Sequence, residues 1–158
     1  MIKFRKANLD DINTYFIWVS DPLVRSISYN TDNITLSEHT KWFKSKIKDE
    51  NSLMLLFEIS NKPIGQVRFE KENVNHSVIN ISISSEFRGK GFGSKILKLA
   101  SNYFHSLNPE IAINAYIKTS NIGSIKSFEK ALFKFNKKLK YKGNESLNYT
   151  LKNENSRL

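Results

Sequence analysis

Three glycines stand at alternate positions in the stretch FRGKGFGSKIL, residues 87–97, between an alternating apolar segment and a run with helical spacing. Glycine at a strand-to-helix junction adopts unusual backbone angles and lets a ligand approach the main chain without meeting a Cβ atom. The start of the helix then offers unpaired N–H groups, and a pyrophosphate can accept several of them at once. The stretch therefore predicts an anion site for a pyrophosphate, with added charge from Arg88 and Lys90.

Two familiar phosphate motifs do not fit these residues. A Walker loop requires Gly-Lys-Ser/Thr in that order, whereas residues 93–95 read Gly-Ser-Lys. A dinucleotide fingerprint requires an acidic residue about 20 positions later, at the end of the next strand, and residues 113–118 contain none. The stretch matches the pattern R-x-x-G-x-G at Arg88, Gly91 and Gly93, and in this it resembles the GNAT superfamily of acyl-CoA N-acyltransferases.

The predicted elements around this loop have the order that the same superfamily shows. Apolar periodicity and turn residues predict strands over 2–6, 53–59, 64–70, 78–84, 111–117, 134–140 and 146–152. Helices are predicted over 9–19, 37–49, 92–107 and 121–132, with a polar loop over 22–36. We therefore expect an α/β (α+β) fold. It would be one GNAT-like domain over residues 1–152 with a tail at 153–158, and a mixed, mostly antiparallel sheet of about seven strands flanked by about four helices.

The resemblance implies acetyl-CoA as cofactor and assigns its contacts. The segment from Arg88 to Ser94 would hold the pyrophosphate, and the main chain of Ile83–Ser85 would lie along the pantetheine arm. Phe128 stands where this superfamily often has a tyrosine that protonates the leaving thiolate, which phenylalanine cannot do. The residues expected to contact the cofactor are Ile83, Ser84, Ser85, Arg88, Gly89, Lys90, Gly91, Phe92, Gly93, Ser94, Asn121, Ser124 and Phe128.

Transfer of an acetyl group to an amine needs a neutral nucleophile, whereas an alkyl ammonium with a pKa of about 10 is mostly protonated at neutral pH. Asn80 and Ser82, on the face opposite the isoleucines of their strand, are expected to position a water that takes this proton. The titratable candidates for the base are His76, Glu70 and His39. Tyr116, on the neighbouring strand, is the candidate acid in place of the missing tyrosine, although a thiolate leaves tolerably well without one.

The acceptor is predicted from residues 18–43, which contain WVSDPLVRSISYN and ITLSEHTKWF. This segment resembles N-acetyltransferases of nucleotide-linked 4-amino-4,6-dideoxy sugars, including the pseudaminic acid pathway enzyme. The resemblance implies that Arg25 and His39 bind the nucleotide diphosphate and that Tyr29 and Trp42 stack on base or sugar. Three alternatives stay open: a protein N-terminal acetyltransferase, a small-amine acetyltransferase, and a nucleic-acid-binding module without activity.

The amino-acid composition limits which ligands and partners are expected. The chain has no cysteine and three scattered histidines without zinc spacing, so no metal site is expected. Its formal net charge of +10 fits a polyanionic ligand, although a solvated lysine coat gives the same value. Without an apolar run of membrane length or a secretory signal, we expect a cytoplasmic monomer or homodimer that binds neither membrane nor nucleic acid.

Overall fold

The computed structural model describes residues 1–154. Within them lie seven strands and five helices, one helix more than the sequence predicts. In chain order the elements are β1 (Ile2–Lys6), α1 (Ile12–Ser20), α2 (Pro22–Ile27), α3 (Leu36–Lys48), β2 (Ser52–Ile59), β3 (Lys62–Asn73), β4 (His76–Ile83), α4 (Phe92–Leu107), β5 (Ala112–Lys118), α5 (Ile122–Lys130), β6 (Lys134–Tyr141) and β7 (Asn144–Leu151). The predicted α/β domain with a mixed sheet is therefore confirmed. The expected tail, residues 153–158, lies mostly outside the described residues.

One sheet contains all seven strands, in the order β1-β2-β3-β4-β5-β7-β6. Every neighbouring pair is antiparallel except β4 and β5, which run parallel. Strands β2, β3 and β4 form an antiparallel meander, because turns at Asn61 and near Asn75 reverse the chain twice. The connection from β4 to β5 crosses over through α4, and the connection from β5 to β6 passes β7 through α5.

The segment predicted as a polar loop, residues 22–36, begins instead with a short helix. Pro22 occupies the first turn of α2, where its fixed φ suits a helix and its missing N–H costs nothing. The Asp21 carboxylate accepts a hydrogen bond from the Leu23 N–H at 2.9 Å and so caps this helix. The Asp-Pro pair therefore ends α1, as predicted, and also starts the next helix.

Two apolar clusters cover the two faces of the sheet. The larger one lies beneath α4 and α5, where Phe104 stacks on Phe69 at 4.4 Å between ring centroids. The smaller one packs Tyr15, Trp18 and Phe43 of α1 and α3 on β2. Strand β2 is buried on both faces, as its continuous apolar sequence predicts.

Away from α1 and α3, the second face of the sheet is polar. Cross-strand partners in the register share a face, which pairs Gln66 with Ser82 and Arg68 with Asn80. The face continues onto β5 with Asn114, the partner of Val78. We call the region formed by Gln66, Asn80, Ser82, Asn114 and Tyr116 the polar face.

Strands β4 and β5 pair over only three residue pairs, from His76 with Ala112 to Val78 with Asn114. Beyond these residues β4 continues to Ile83 and β5 to Lys118 without pairing to each other. An unpaired edge on each strand leaves main-chain N–H and C=O groups free to bind a ligand. This gap between β4 and β5 opens toward the glycine loop.

Neither a membrane-spanning helix nor a candidate metal-binding group occurs within the described residues. No helix within residues 1–154 is long and apolar enough to cross a membrane. The same residues contain no group of three or more His, Asp or Glu side chains that could hold a metal ion.

Candidate active site

The glycine loop has the conformation that its sequence predicts. Gly89 and Gly91 have φ values of +72° and +82°, in the left-handed region that favours glycine. A Cβ atom at either position would meet no atom within 4 Å, so space for a ligand lies directly against the main chain. Gly91 is the N-cap of the 16-residue helix α4 and provides no capping side chain. The first N–H groups of α4 are therefore available to an anion, which fits the pyrophosphate of acetyl-CoA.

An open cavity of about 690 Å³ lies against this loop. Helix α5 forms its other wall and brings Lys126 and Lys130 beside Gly89 and Gly91. The two lysines are four residues apart and so share one helical face, a signal that the sequence offers but the glycine motif does not include. They add positive charge where the loop would hold phosphate groups.

The third glycine of the motif serves helix packing. A Cβ atom on Gly93 would lie 3.0 Å from the Ser127 Oγ atom, which is tighter than ordinary contact. Gly93 therefore lets α4 approach α5 closely and so brings the lysine-bearing helix to the loop. Ser94 lines the cavity beside it, as predicted.

The Arg88 side chain is used inside the protein. Its Nε–H donates to the Ile83 carbonyl at 3.0 Å, and an Nη atom lies 3.2 Å from the Asp21 carboxylate. The expected pyrophosphate contact of this guanidinium is therefore corrected, because Arg88 fastens the loop to the end of β4 and to the α1–α2 junction. Lys90 and Phe92 border the loop, where Lys90 lies 5.8 Å from the Phe87 ring centroid and Phe92 meets the same ring edge-on.

Main-chain groups of the predicted pantetheine segment, Ile83–Ser85, already form hydrogen bonds within the protein. The Ile83 carbonyl accepts from Arg88, and the Ser84 N–H donates to the Ile64 carbonyl at 2.8 Å. The Ser84 carbonyl accepts from the Phe87 N–H, in a 3₁₀ turn that contains Ser85. The unpaired edge that faces the gap therefore belongs to β4 between Val78 and Ile83.

Asn121 and Phe128 were both expected to contact the cofactor, but the structure is compatible with this expectation for only one of them. Asn121 begins this helix as predicted, and its Oδ1 atom accepts from the Ser124 N–H at 3.3 Å. Phe128 is only 3% exposed and packs edge-on against Phe133, with 4.9 Å between ring centroids. The prediction that Phe128 contacts the cofactor is therefore wrong, because its ring fills the core.

A buried glutamine that the sequence did not single out organises Asn80 and Ser82. Gln66 Nε2 donates to Asn80 Oδ1 at 3.1 Å and to Ser82 Oγ at 2.8 Å. Because both side chains accept these bonds, the Asn80 amide N–H groups and the Ser82 hydroxyl hydrogen stay available as donors. Gln66 Oε1 is buried and has no hydrogen-bond partner among residues 1–154. The polar face thus offers donors at the edge of β4 beside the gap.

Tyr116 meets a carboxylate from the β3–β4 hairpin. Its hydroxyl donates to Glu72 Oε2 at 2.7 Å, and Asn114 Nδ2 donates to Glu72 Oε1 at 3.0 Å. The Tyr116 ring stacks on Tyr141 with 4.1 Å between centroids and an interplanar angle of 1°. Burial and the adjacent Glu72 carboxylate raise the pKa of Tyr116. These contacts do not favour the predicted role of thiolate acid, because the hydroxyl hydrogen is directed to Glu72.

A loop after α2 forms the wall opposite the sheet. The Tyr29 hydroxyl lies 2.6 Å from Ser146 Oγ, and its ring meets Tyr141 edge-on. Lys118 Nζ donates to the Ser28 carbonyl at 2.6 Å and lies 5.6 Å from the Tyr29 ring centroid. Tyr29 therefore stands at the polar face, where an aromatic partner for the acceptor was expected.

Arg25 and His39, which were predicted to bind the diphosphate, both form hydrogen bonds to main-chain carbonyls of the protein. Arg25 donates from Nε to the Val19 carbonyl at 2.7 Å and from Nη1 to the carbonyls of Asn30 and Asp32. His39 is 3% exposed, and its Nε2 atom lies 3.1 Å from the Ile12 carbonyl. His39 is therefore corrected to a core residue between α1 and α3, and Arg25 to the residue that shapes the Tyr29 loop.

Trp42 and Glu70 lie at the border of the polar face. The Trp42 ring stacks over the Arg68 guanidinium, with 4.9 Å from its carbon to the ring centroid. Arg68 also pairs with Glu70 at 3.5 Å, and Lys46 forms a second ion pair with that carboxylate. Glu70 is therefore neutralised, and it is not a free base for the reaction.

His76 lies at the opposite end of β4 from the glycine loop. Its Nδ1 atom contacts Asn73 Oδ1 at 3.1 Å in the β3–β4 hairpin. Six residues separate it from Ser82, and at about 3.3 Å per residue they lie roughly 20 Å apart along the strand. This distance does not favour the predicted role of His76 as the base at Ser82.

Comparisons with known proteins agree with this geometry. A sequence model of the acetyltransferase (GNAT) domain matches residues 2–134. A comparison with curated proteins finds no matching sequence.

Solved structures share the fold at low sequence identity. Spermidine N-acetyltransferase from Vibrio cholerae, solved with CoA and spermine, superimposes with a TM-score of 0.87 at 16% identity, over 96% of this chain and 95% of that one. The aminoglycoside acetyltransferase AAC(6')-Ib, solved with ribostamycin and coenzyme A, gives 0.86 at 16% identity over 99% and 98%.

A domain from Methanocaldococcus jannaschii DSM 2661 gives a TM-score of 0.81 at 24% identity, over 96% of this chain and 97% of that one. At these identities the likeness concerns the fold alone. The family match covers most of the chain and includes the glycine loop, whose conformation suits a pyrophosphate. The chain therefore belongs to the acetyltransferase (GNAT) family and is an acetyl-CoA-dependent N-acetyltransferase.

Proposed function

We propose that this enzyme acetylates the amine of an amino-deoxy sugar that is linked to a nucleotide. The observation that carries the proposal is the composition of the polar face and its border, where neutral polar side chains and aromatic rings lie together beside the gap. Tyr29, Trp42, Tyr116 and Tyr141 supply the rings. Sugars bind to such surfaces through apolar contact of their C–H groups with rings and through hydrogen bonds from their hydroxyls.

The charges around the polar face favour an anionic acceptor over a polycationic one. Lys46 and Arg68 pair with Glu70, Lys118 binds the Ser28 carbonyl, and Glu72 accepts hydrogen bonds from Asn114 and Tyr116. Glu70 is neutralised by two of these cations, so Glu72 alone is left to attract an ammonium group. A spermidine-like acceptor carries several ammonium groups and would need several free carboxylates, whereas a nucleotide diphosphate is compatible with the surplus of positive charge.

The cofactor supplies the acetyl group as an activated thioester when it is bound. On the protein side, the N–H groups at the start of α4 hold the pyrophosphate, and Lys126 and Lys130 neutralise further phosphate charge. The free edge of β4 holds the extended arm in the gap. Asn80 and Ser82 direct donors to the same place, where they hold a water molecule or the carbonyl oxygen that gains negative charge.

An acceptor panel tests the proposal. The purified enzyme and acetyl-CoA would be mixed with a UDP-linked 4-amino-4,6-dideoxy sugar, kanamycin, spermidine and a peptide with a free N-terminus. Thiol release and the mass of the product report turnover. We expect kcat/KM for the nucleotide sugar to exceed that for every other amine by about tenfold or more, since a matched polar site discriminates at least this strongly.

Competition by UDP separates recognition of the nucleotide from recognition of the sugar. We expect UDP to inhibit competitively against the nucleotide sugar and to leave acetyl-CoA binding unchanged. Faster acetylation of spermidine, kanamycin or the peptide would contradict the proposal, and so would the absence of UDP inhibition. Trp42→Ala should raise the acceptor KM, while Trp18→Phe, a change inside the smaller core, provides the control for altered packing.

A further inference from the structure

The reaction must take a proton from the attacking nitrogen, and a carboxylate bound to two residues of the polar face is placed for this task. This inference rests on the proposed function, since it concerns how the same site handles the acceptor amine. Glu72 lies on β3 next to the hairpin, and the sequence analysis did not single it out. Both of its oxygens accept hydrogen bonds, from Asn114 at 3.0 Å and from Tyr116 at 2.7 Å. It forms no ion pair within residues 1–154.

The two donors define where this carboxylate lies. Asn114 is the last residue of β5 that pairs with β4, and Tyr116 is the next residue of β5 on the same face. The Glu72 carboxylate therefore bridges the point at which β4 and β5 separate. An arm that enters the gap from the glycine loop has its reactive end nearest to this point, because the pyrophosphate site lies at the open end.

The Tyr116 hydroxyl is oriented by what surrounds it. Stacking on Tyr141 fixes the ring plane, and Glu72 accepts the hydroxyl hydrogen. The Asn114 amide also donates toward the Tyr116 oxygen, and the remaining lone pair is left for a donor from outside the protein, such as an amine N–H. Since the raised pKa keeps the hydroxyl protonated, it can accept one proton while it gives up another.

We propose that Tyr116 and Glu72 form a relay that takes the proton from the acceptor amine. The acceptor first loses its ammonium proton to solvent, and the neutral amine then donates an N–H to the Tyr116 oxygen. As the nitrogen forms its bond to the acetyl carbon, its proton passes to Tyr116, and the hydroxyl proton of Tyr116 passes to Glu72. The bond between carbon and sulfur breaks with its electron pair on the thiolate, which is protonated from solvent. Glu72 is exposed and returns its proton to solvent.

Other groups that titrate near the relay must be kept in view when its pH dependence is measured. Tyr141 faces Glu72 from β6, and Tyr29 and Glu70 lie near Tyr141. Glu70 is held by Lys46 and Arg68. Neither Tyr141 nor Tyr29 donates to Glu72, so Tyr116 is the tyrosine that loses a partner when the carboxylate is removed.

The test compares Glu72→Gln, Glu72→Ala and Tyr116→Phe with the control Glu110→Gln, an exposed loop carboxylate. Each is assayed from pH 6 to 10 with the panel amine that the wild type acetylates fastest. We expect Glu72→Gln and Tyr116→Phe to lower kcat about 100-fold, as for loss of a general base. The amine KM should change less than about threefold and acetyl-CoA affinity should stay unchanged.

Two readouts separate the relay from a purely structural role. Formate should restore part of the activity of Glu72→Ala in a concentration-dependent manner, because a small carboxylate can occupy the vacated space. Ultraviolet titration, which needs no turnover, should show one tyrosine that ionises at lower pH in Glu72→Gln than in the wild type. That shift should vanish when Tyr116→Phe is added.

The outcomes distinguish the relay from the acceptor assignment. If the wild type prefers spermidine or kanamycin, the proposed sugar acceptor is wrong, and the relay is then measured with that amine. If Glu72→Gln keeps the wild-type kcat and pH profile with whichever amine is used, the relay is overturned, and the acceptor assignment is still decided by the panel alone. Loss of activity in Glu110→Gln to the same extent would also overturn the relay, since the effect would then not be specific to this site.

Discussion

The proposed cofactor half and the proposed acceptor half of this active site are built in different ways. The cofactor half uses main-chain geometry in one continuous segment, where Gly89 and Gly91 open the path to the first turn of α4. The acceptor half uses side chains from β3, β5, β6, β7 and the loop after α2, among them Glu72, Tyr116 and Tyr141. A backbone site is specified by neighbouring residues, whereas a side-chain site is specified by the register of distant strands.

The largest expected effect is a loss of acetyl-CoA affinity from a substitution that disturbs the cofactor half alone. Gly91→Glu places a strained residue and a negative charge beside the anion site, so acetyl-CoA affinity should fall about 100-fold or more, equivalent to roughly 2.7 kcal/mol. Calorimetric titration with acetyl-CoA measures it. Gly143→Glu is a matched control, because Gly143 has a similar φ of +80° and open space around it but lies in the β6–β7 hairpin.

Both variants carry the same charge and similar strain, so they should lose a similar amount of stability. Only Gly91→Glu should lose affinity for acetyl-CoA. Equal loss of affinity in the two variants would show that strain or net charge, and not the position beside α4, explains the effect.

A smaller effect is expected when the acceptor half alone is perturbed. Arg25→Ala removes the donors that hold the carbonyls of Val19, Asn30 and Asp32, so the loop that carries Tyr29 loses its order. Ordering one loop residue on binding costs about 1–2 kcal/mol, so the acceptor KM should rise about tenfold. Steady-state kinetics with the fastest panel amine measures it.

Acetyl-CoA affinity should not change in Arg25→Ala, which separates the two halves. Arg25→Lys should show an intermediate acceptor KM, because lysine can replace only part of the planar set of donors. A loss of nucleotide-sugar binding without any change for simpler amines would instead return Arg25 to its predicted role as a phosphate ligand.

The smallest expected effect is on the pH dependence of stability, to which each half contributes one buried histidine. Burial lowers the pKa of both His39 in α3 and His105 in α4. The unfolded chain takes up these protons near pH 6.5, so the stabilisation is complete above that pH and is lost as the pH falls through the folded-state pKa values. The free energy of unfolding should therefore decrease between pH 7 and 5, before carboxylates titrate.

Denaturant unfolding at several pH values tests this expectation. His39→Gln and His105→Gln keep a side-chain N–H donor but do not titrate, so each should flatten the pH dependence. The two halves should still unfold in one transition, because they share a single sheet. A stability that is the same at pH 7 and 5 in the wild type would contradict the prediction.

Much of the fold could be predicted because local patterns determine it. The alternation of β4 is readable in a few neighbouring residues, and so is the start of α3, where the Thr35 side chain accepts from the Glu38 N–H. The helix α2 could not be read in this way, since six residues show too little periodicity. Pro22 marks a helix start and a loop equally well.

In the candidate site, too, the features set by neighbouring residues could be predicted, and those set by distant residues could not. The glycine loop could be predicted, but whether a polar side chain faces a ligand or the protein could not. Arg25, His39 and Arg88 have the residue types that bind phosphate, yet each finds its partners within the chain. Glu72 and Gln66 look ordinary in sequence, and only the pairing of β3 with β4 and of β4 with β5 places them at the gap.

The attachment of the Tyr29 loop has a consequence for recombination between family members. The Ser28 carbonyl is held by Lys118, 90 positions away, and the Tyr29 hydroxyl by Ser146, 117 positions away. A chimera that exchanges only the first third of the chain would separate this loop from both anchors. Transplanting acceptor preference therefore requires positions 118 and 146 to travel with the N-terminal segment, and libraries that vary the loop should vary those two positions as well.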